Sequence, residues 1–133
     1  MYKMNRSYLK GMLISGLLVL TTLHLTAQWN FKTDYFKIHI SKRGFITSMK
    51  NIAALSGQEF SPAEKPSPLL LLYNGKKKQY YQPVKASFQS TQKKLSLTFS
   101  NGSVAQVRIS EQGKYLKLTL QALSKRGEIE GIQ

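Results

Sequence analysis

Most of the chain alternates apolar and polar residues with the two-residue period of a β-strand. Residues 36–40 are a clear case, because apolar side chains at every second position are separated by Lys37 and His39. Such alternation is typical of a strand with one buried face and one face in water. Three later segments repeat the pattern, at residues 95–99, 105–109 and 116–120.

Short turns are predicted between these segments. Gly44 closes the polar stretch 41–44, and Asn-Gly pairs follow at 74–75 and 101–102, which are strong hairpin signals. Residues 69–73 form a continuous apolar run, which predicts a central strand covered on both faces. We therefore expect an all-β protein, an antiparallel β-sandwich of about seven or eight short strands.

Prolines interrupt this pattern in two places. Residues 52–68 contain Gly57 and three prolines, so they predict a loop or an ordered crossover. Residues 80–89 predict a strand in which Pro83 marks an edge or a bulge, because proline cannot donate to the strand ladder.

The first 27 residues have the organisation of a secretory signal peptide. Lys3, Arg6 and Lys10 make a basic start, residues 12–25 are mainly apolar, and Ala27 is a small residue at the exit, as such signals require. The alternative is an uncleaved anchor, but a spanning helix needs about 20 apolar residues and this run is shorter. We expect cleavage after residue 27, a mature domain at 28–133 and an exported protein, periplasmic or extracellular, with no membrane attachment after cleavage.

The charge balance narrows the choice of partners. The chain carries 20 Lys and Arg against 6 Asp and Glu, a formal net charge of +14. Most of these cations are lysines, whereas arginine is the usual reader of nucleic-acid bases. Lysines at turns and edges also protect β-proteins from aggregation. We interpret the charge mainly as solvated faces, with an anionic glycan or envelope surface as the alternative, and we expect no nucleic-acid partner.

Catalytic and metal-binding patterns are weak. Glu128 and Glu130 are two residues apart in a predicted strand, which would place them on one face, but we interpret that face as solvated. Glu59 and Glu64 fall in the proline-rich loop, where we expect them to be solvated. His39 has no Cys or carboxylate motif beside it, and the chain has no cysteine. We expect no catalytic residue, no metal site and no cofactor.

Aromatic residues are the most suggestive group. Flat aromatic faces suit sugar rings, whose C–H groups can stack on the negative face of the π system. The alternative is packing in the core or against an adjoining domain. The candidate ligand-binding residues are Trp29, Tyr35, Tyr80 and Tyr81.

The end of the sequence resembles the start of a strand. Residues 128–133 show no polar tail or turn after Ile132. This favours a fragment of a longer protein, truncated at its C-terminus, and the alternative is a short final edge strand.

Several stretches together resemble a known domain: residues 36–46 (FKIHISKRGFI), 59–62 (EFSP), 69–73, 115–118 (YLKL) and 127–132 (GEIEGI). They are similar to the N-terminal β-sandwich of large secreted bacterial glycoside hydrolases, α-galactosidase-like enzymes with a downstream catalytic barrel. The resemblance implies a non-catalytic domain whose partner is carbohydrate or an adjoining catalytic domain, because the family's catalytic carboxylates would lie on the barrel. The alternative is a free-standing exported carbohydrate-binding or cell-envelope surface module.

Overall fold

The computed structural model describes residues 28–61 and 64–133. The predicted signal peptide at 1–27 lies outside these residues. The described chain is all-β, as the alternation predicted, and its helical turns are the short 3₁₀ segments Ser90–Gln92 and Arg126–Glu128. The strands in the described residues are β1 (Gln28–Lys32), β2 (Phe36–Ser41), β3 (Phe45–Asn51), β4 (Ser67–Pro68), β5 (Leu72–Asn74), β6 (Gln79–Tyr81), β7 (Pro83–Gln89), β8 (Lys94–Phe99), β9 (Val104–Glu111), β10 (Leu116–Leu123) and β11 (Gly131–Ile132).

The strands form three antiparallel sheets. The first sheet has the order β1-β2-β3-β4, the second has the order β10-β9-β8-β7, and the small sheet has the order β11-β5-β6. Most neighbours in a sheet are also neighbours in sequence, because tight hairpins connect them. No helix in the described part of the chain is long and apolar enough to cross a membrane.

The first and second sheets pack face to face in a sandwich-like arrangement. The alternating apolar residues of β8 and β9 are buried, and Phe31 and Ile40 from the first sheet join the same core cluster. The Phe31 ring meets Phe88 of β7 edge-on at 5.2 Å between centroids. The small sheet adds Leu72 and Tyr81 to this cluster, so one core serves all three sheets.

The structure has more strands than the seven or eight that the sequence predicted. The additional ones are short: β4 and β11 have two residues each, and β5 and β6 have three. A segment of two or three residues shows no measurable period, so hydrophobic alternation cannot detect it.

The prediction of one central strand over residues 69–73 is confirmed only for its last two residues, which belong to β5, the central strand of the small sheet. Only Leu72 and Tyr73 belong to a strand, and residues 69–71 are half-buried chain between two sheets. The backbone N–H of Leu69 donates to Gly44 beside the first sheet, whereas that of Leu71 donates to Gln133 beside the small sheet. The apolar run is covered in part because it crosses from the first sheet to the small sheet. It does not alternate because residues 69–71 are not in a strand.

Residues 80–89 also divide into two strands. β6 ends at Tyr81, and β7 begins at Pro83, where the pairing with β8 shifts between Pro83 and Lys85. β7 is an edge strand of the second sheet. The predicted edge or bulge at Pro83 is therefore confirmed.

The other edge of the second sheet carries exposed leucines. Leu118 and Leu120 of β10 lie opposite the buried Ile109 and Val107, so they share the core face of the sheet. They nevertheless remain 42% and 43% exposed. The first sheet does not fully cover this edge.

Candidate functional site

The structure separates the four predicted aromatic residues. Trp29 is half-buried in β1, with its ring 6.3 Å from that of Phe88. Tyr81 is 6% exposed within the core, and its hydroxyl accepts a 3.5 Å hydrogen bond from Asn74 Nδ2. Both side chains contribute to packing, which was the alternative role considered from the sequence.

Tyr35 and Tyr80 are the exposed members of the set. Tyr35 lies in the turn between β1 and β2, where the Thr33 hydroxyl accepts hydrogen bonds from the backbone N–H groups of Tyr35 and Phe36. Tyr80 lies in β6 of the small sheet. Their exposures are similar, 42% and 49%, so exposure alone does not choose between them.

A second tyrosine distinguishes the surroundings of Tyr80. Tyr73 of β5 lies directly opposite Tyr80, and the two ring centroids are 4.9 Å apart with the planes tilted by 40°. On its other side Tyr73 pairs with Gly131 of β11. The row Gly131–Tyr73–Tyr80 forms the aromatic face of the small sheet. Because Gly131 has no side chain, it places no bulk beside Tyr73.

Polar groups lie at the rim of the aromatic face. The Gln133 side-chain amide donates a 3.4 Å hydrogen bond to the Tyr80 hydroxyl. The exposed lysines at 76–78 form the turn that joins β5 to β6. A phenol hydroxyl both donates and accepts hydrogen bonds. The face therefore combines ring surface for C–H stacking with polar groups that suit sugar hydroxyls.

The role of Tyr73 depends on the length of the hairpin turn. A two-residue turn at Asn74-Gly75 would place Tyr73 opposite Lys76, whereas the structure pairs Asn74 with Gln79 and Tyr73 with Tyr80. The turn spans residues 75–78, and its left-handed position is Lys78 with φ 49°. Gly75 has no positive φ, and the space that a side chain there would take is occupied by the carboxylate of the exposed Glu130, which is the end of a flexible side chain and can move aside.

A second polar region surrounds Glu59, which the sequence interpretation left as a solvated loop residue. Its carboxylate accepts hydrogen bonds from Ser48 Oγ at 2.6 Å, Met49 N at 2.6 Å and Ser61 N at 2.9 Å. These bonds fasten the loop after β3 to the strand itself. Solvation is therefore the wrong description, since Glu59 is a structural carboxylate.

The electrostatics of this region argue against acid catalysis. Hydrogen bonds, first of all from Ser48, lower the pKa of Glu59 to about 2, so it stays ionised over the working range of a general acid. His39 lies beside it, and partial burial together with the charges of Lys37 and Lys50 lowers its pKa. Both groups line an open cleft of about 470 Å³.

Glu128 and Glu130, the other two carboxylates that the sequence placed together, lie outside any strand. Glu128 falls in the 3₁₀ segment and Glu130 in the chain before β11. The prediction that they share one face of a strand is therefore wrong. Within residues 28–61 and 64–133, no group of three or more His, Cys, Asp or Glu side chains could hold a metal ion.

The chain was compared with protein families, curated proteins and solved structures. No protein-family model matches the chain, and neither a curated protein nor a solved structure is significantly similar to it. The fold defines the class coarsely, as an all-β protein with sandwich-like packing.

The hydrogen bonds of Glu59 predict an acid-sensitive stability. The pKa of Glu59 is about 2 in the folded protein against an ordinary value of 4.5, so its contribution to stability is complete above about pH 4.5 and is lost as the pH falls towards 2. We expect Glu59→Gln to lower the melting temperature at pH 7. Near pH 2 the melting temperatures of the variant and the wild type should become similar. Thermal unfolding between pH 2 and 7 measures this.

Glu128→Gln is the matched control, because it removes the same charge from an exposed 3₁₀ segment. We expect its pH profile to follow that of the wild type. If the melting temperature of Glu59→Gln differed from that of the wild type by the same amount at every pH between 2 and 7, the carboxylate would not be what holds the loop to β3.

Proposed function

We propose that this chain is an exported, non-catalytic β-sandwich module of a carbohydrate-active enzyme, a glycoside hydrolase, and that it supports a downstream catalytic barrel. The aromatic face of the small sheet is the surface through which it contacts carbohydrate or the adjoining domain. The observation that carries the proposal is the cross-strand pair Tyr73–Tyr80, with Tyr80 49% exposed and 4.9 Å from its partner.

Three further observations support this role. The signal-like N-terminus indicates export. The Glu59 carboxylate is held by three hydrogen bonds and has a structural role. Glu128 and Glu130 do not share a strand face, which was the one arrangement in which the sequence offered them as a carboxylate pair. The opening at residues 36–46 resembles the N-terminal sandwich of secreted glycoside hydrolases.

A free-standing binding module is the second candidate function, and the same exposed face favours it. A tyrosine ring open to water beside a second ring is suited to stacking on a sugar without help from another domain. The two functions share one surface. They differ in whether that surface binds free oligosaccharide with useful affinity.

Binding of neutral oligosaccharides tests the surface. We expect the purified full chain to bind at least one member of a panel of gluco-, galacto- and manno-oligosaccharides in calorimetric titration. Tyr80→Ala should weaken that binding about tenfold or more, because the stacking ring contributes on the order of 1–2 kcal/mol. Tyr80→Phe should retain most of the affinity, since it keeps the ring face.

Tyr35→Ala is the control, because Tyr35 is similarly exposed but lies in a separate turn. It should leave binding unchanged. Equal losses in Tyr35→Ala and Tyr80→Ala would remove the aromatic face from the proposal. Absence of binding to every sugar in the panel would contradict the binding-module function.

A further inference from the structure

Three lysines lie in one row across the outer face of the first sheet. Lys32 of β1 is directly opposite Lys37 of β2, and Lys37 is directly opposite Lys50 of β3. All three are exposed. Side chains alternate along a strand, so this lysine row faces away from the core side that carries Phe31 and Ile40. Opposing positions place Cβ atoms about 4.5–5.5 Å apart.

Edge protection does not explain the lysine row. Lysine at an edge strand discourages aggregation, and this accounts for Lys32 on β1. Strand β2 has partners on both sides, however, so Lys37 protects no edge. At Lys50 the loop residue Glu59 bridges the open side of β3, so this position is covered as well. Like charges in directly opposing positions destabilise a sheet.

Two of the carboxylates near the lysine row, Glu59 and Glu111, accept hydrogen bonds from other groups. Glu59 and Lys50 are paired by an isolated β-bridge between their backbones. The carboxylate oxygens of Glu59 accept hydrogen bonds from Ser48, Met49 and Ser61. At the other end of the row, Glu111 accepts a hydrogen bond from the backbone N–H of Lys32 at 2.7 Å. Glu64 lines the same cleft as Lys50 and Glu59.

A neutral polar row runs beside the lysine row. Asn30, His39 and Ser48 are directly opposite one another on β1, β2 and β3. The pKa of His39 is lowered by partial burial and by its lysine neighbours, which favours the neutral ring, a donor and acceptor of hydrogen bonds. His39 and Ser48 of this row line the cleft of about 470 Å³, and the buried Thr47 Oγ1 in its wall has no hydrogen-bond partner.

We infer that the outer face of the first sheet binds a linear acidic polysaccharide that crosses the strands, with acid groups on Lys32, Lys37 and Lys50 and sugar hydroxyls on Asn30, His39 and Ser48. Neighbouring strands are about 4.7–4.9 Å apart, so the three lysines form a line of positive charge about 10 Å long that a polymer with repeated acid groups can follow across the strands. This surface is separate from the aromatic face, and the inference stands whether or not that face binds sugar.

Nucleic acid fits these rows less well. Single strands are held by aromatic side chains that stack on bases, and duplex recognition relies on arginine. The two rows contain neither residue type. Lysine is a compact point charge, which suits the evenly spaced carboxylates or sulfates of an acidic polysaccharide.

The test uses the full chain with polygalacturonate as a carboxylate polymer and dextran sulfate as a sulfate polymer. We expect Lys37→Gln/Lys50→Gln to weaken binding of at least one polymer tenfold or more at low salt. The slope of log affinity against log salt should fall by about two, roughly one for each lysine removed.

The matched control is Lys76→Gln/Lys77→Gln, which removes the same charge from the exposed hairpin tip. We expect the polymer affinity of this variant to fall by less than about threefold, because it loses only the general attraction of the net charge. The row variant should also melt at the same or a higher temperature without polymer, because a like-charge contact has been removed. That result excludes misfolding as the cause of lost binding.

Several outcomes would overturn the inference. They are equal losses in the two double variants, absence of binding to both polymers at low salt, and tighter binding of duplex DNA that depends on the same two lysines. Neutral oligosaccharide binding at Tyr80 should be unchanged in Lys37→Gln/Lys50→Gln. The lysine row and the aromatic face can therefore fail independently.

Discussion

Phe99→Ala should cause a large loss of stability, about 3–5 kcal/mol in the free energy of unfolding. Phe99 is 1% exposed at the end of β8 and belongs to the core cluster that joins the sheets. Truncation removes most of its buried apolar surface and leaves a cavity that the surrounding sheets can close only in part. Domains of this size have about 5–15 kcal/mol in total, so the melting temperature should fall by on the order of 15–30 °C.

Phe60→Ala is the control for this measurement. Phe60 is 51% exposed and contacts the ring of Phe36 at 6.1 Å, so the same truncation should cost a small fraction as much. Thermal and denaturant unfolding of both variants decides the matter. Similar losses would show that Phe99 is not at the centre of a shared core.

Gly44→Val should be the second severe substitution. Gly44 has φ +82° in the turn between β2 and β3, and a Cβ there would lie 2.7 Å from Leu97 Cδ2 and 3.0 Å from Pro83 Cβ. The left-handed backbone costs a branched residue about 1–2 kcal/mol, and crowding against the second sheet adds about 1–3 kcal/mol. The total approaches half the stability of a modest domain.

Gly57→Val separates the two causes. Gly57 also has a positive φ, +56°, but no atom lies within 4 Å of the position that a Cβ would take there. We expect this variant to lose only the backbone contribution of about 1–2 kcal/mol. The difference between the two variants in denaturant unfolding then measures the contact between the turn and the second sheet. No difference would mean that the turn does not pack there.

Local patterns predicted the fold class and several turns. Alternation along β2, β8 and β9 matches their buried faces, and the turn at 41–44 contains the positive φ expected of Gly44. The Asn-Gly signal at 74–75 also located the hairpin between β5 and β6, although the turn itself spans residues 75–78. These features depend on residues close together in the chain, which is the range over which a hydrophobic period or a turn preference acts.

The functional surfaces depend on contacts distant in sequence. The pair Tyr73–Tyr80 follows from a turn two residues longer than the Asn-Gly pair suggested. The pairing of β2 with β3 shifts between His39 and Ile40, and this shift leaves Thr47 without a partner on β2. Because of the shift, residues 48–51 pair in the register that places Lys50 opposite Lys37. Glu59 finds its three donors only when the loop folds back on β3. A single sequence contains no local signal for bulges and loop closures of this kind.

The most direct measurement of the proposed function is an NMR titration of the isotope-labelled full chain with a neutral oligosaccharide that binds in the calorimetric panel. We expect saturable shift changes confined to the small sheet, at residues 72–74, 79–81 and 131–133, with the largest changes in the Tyr80 ring. Changes centred elsewhere, or changes that persist in Tyr80→Ala, would contradict the assignment of carbohydrate contact to the aromatic face.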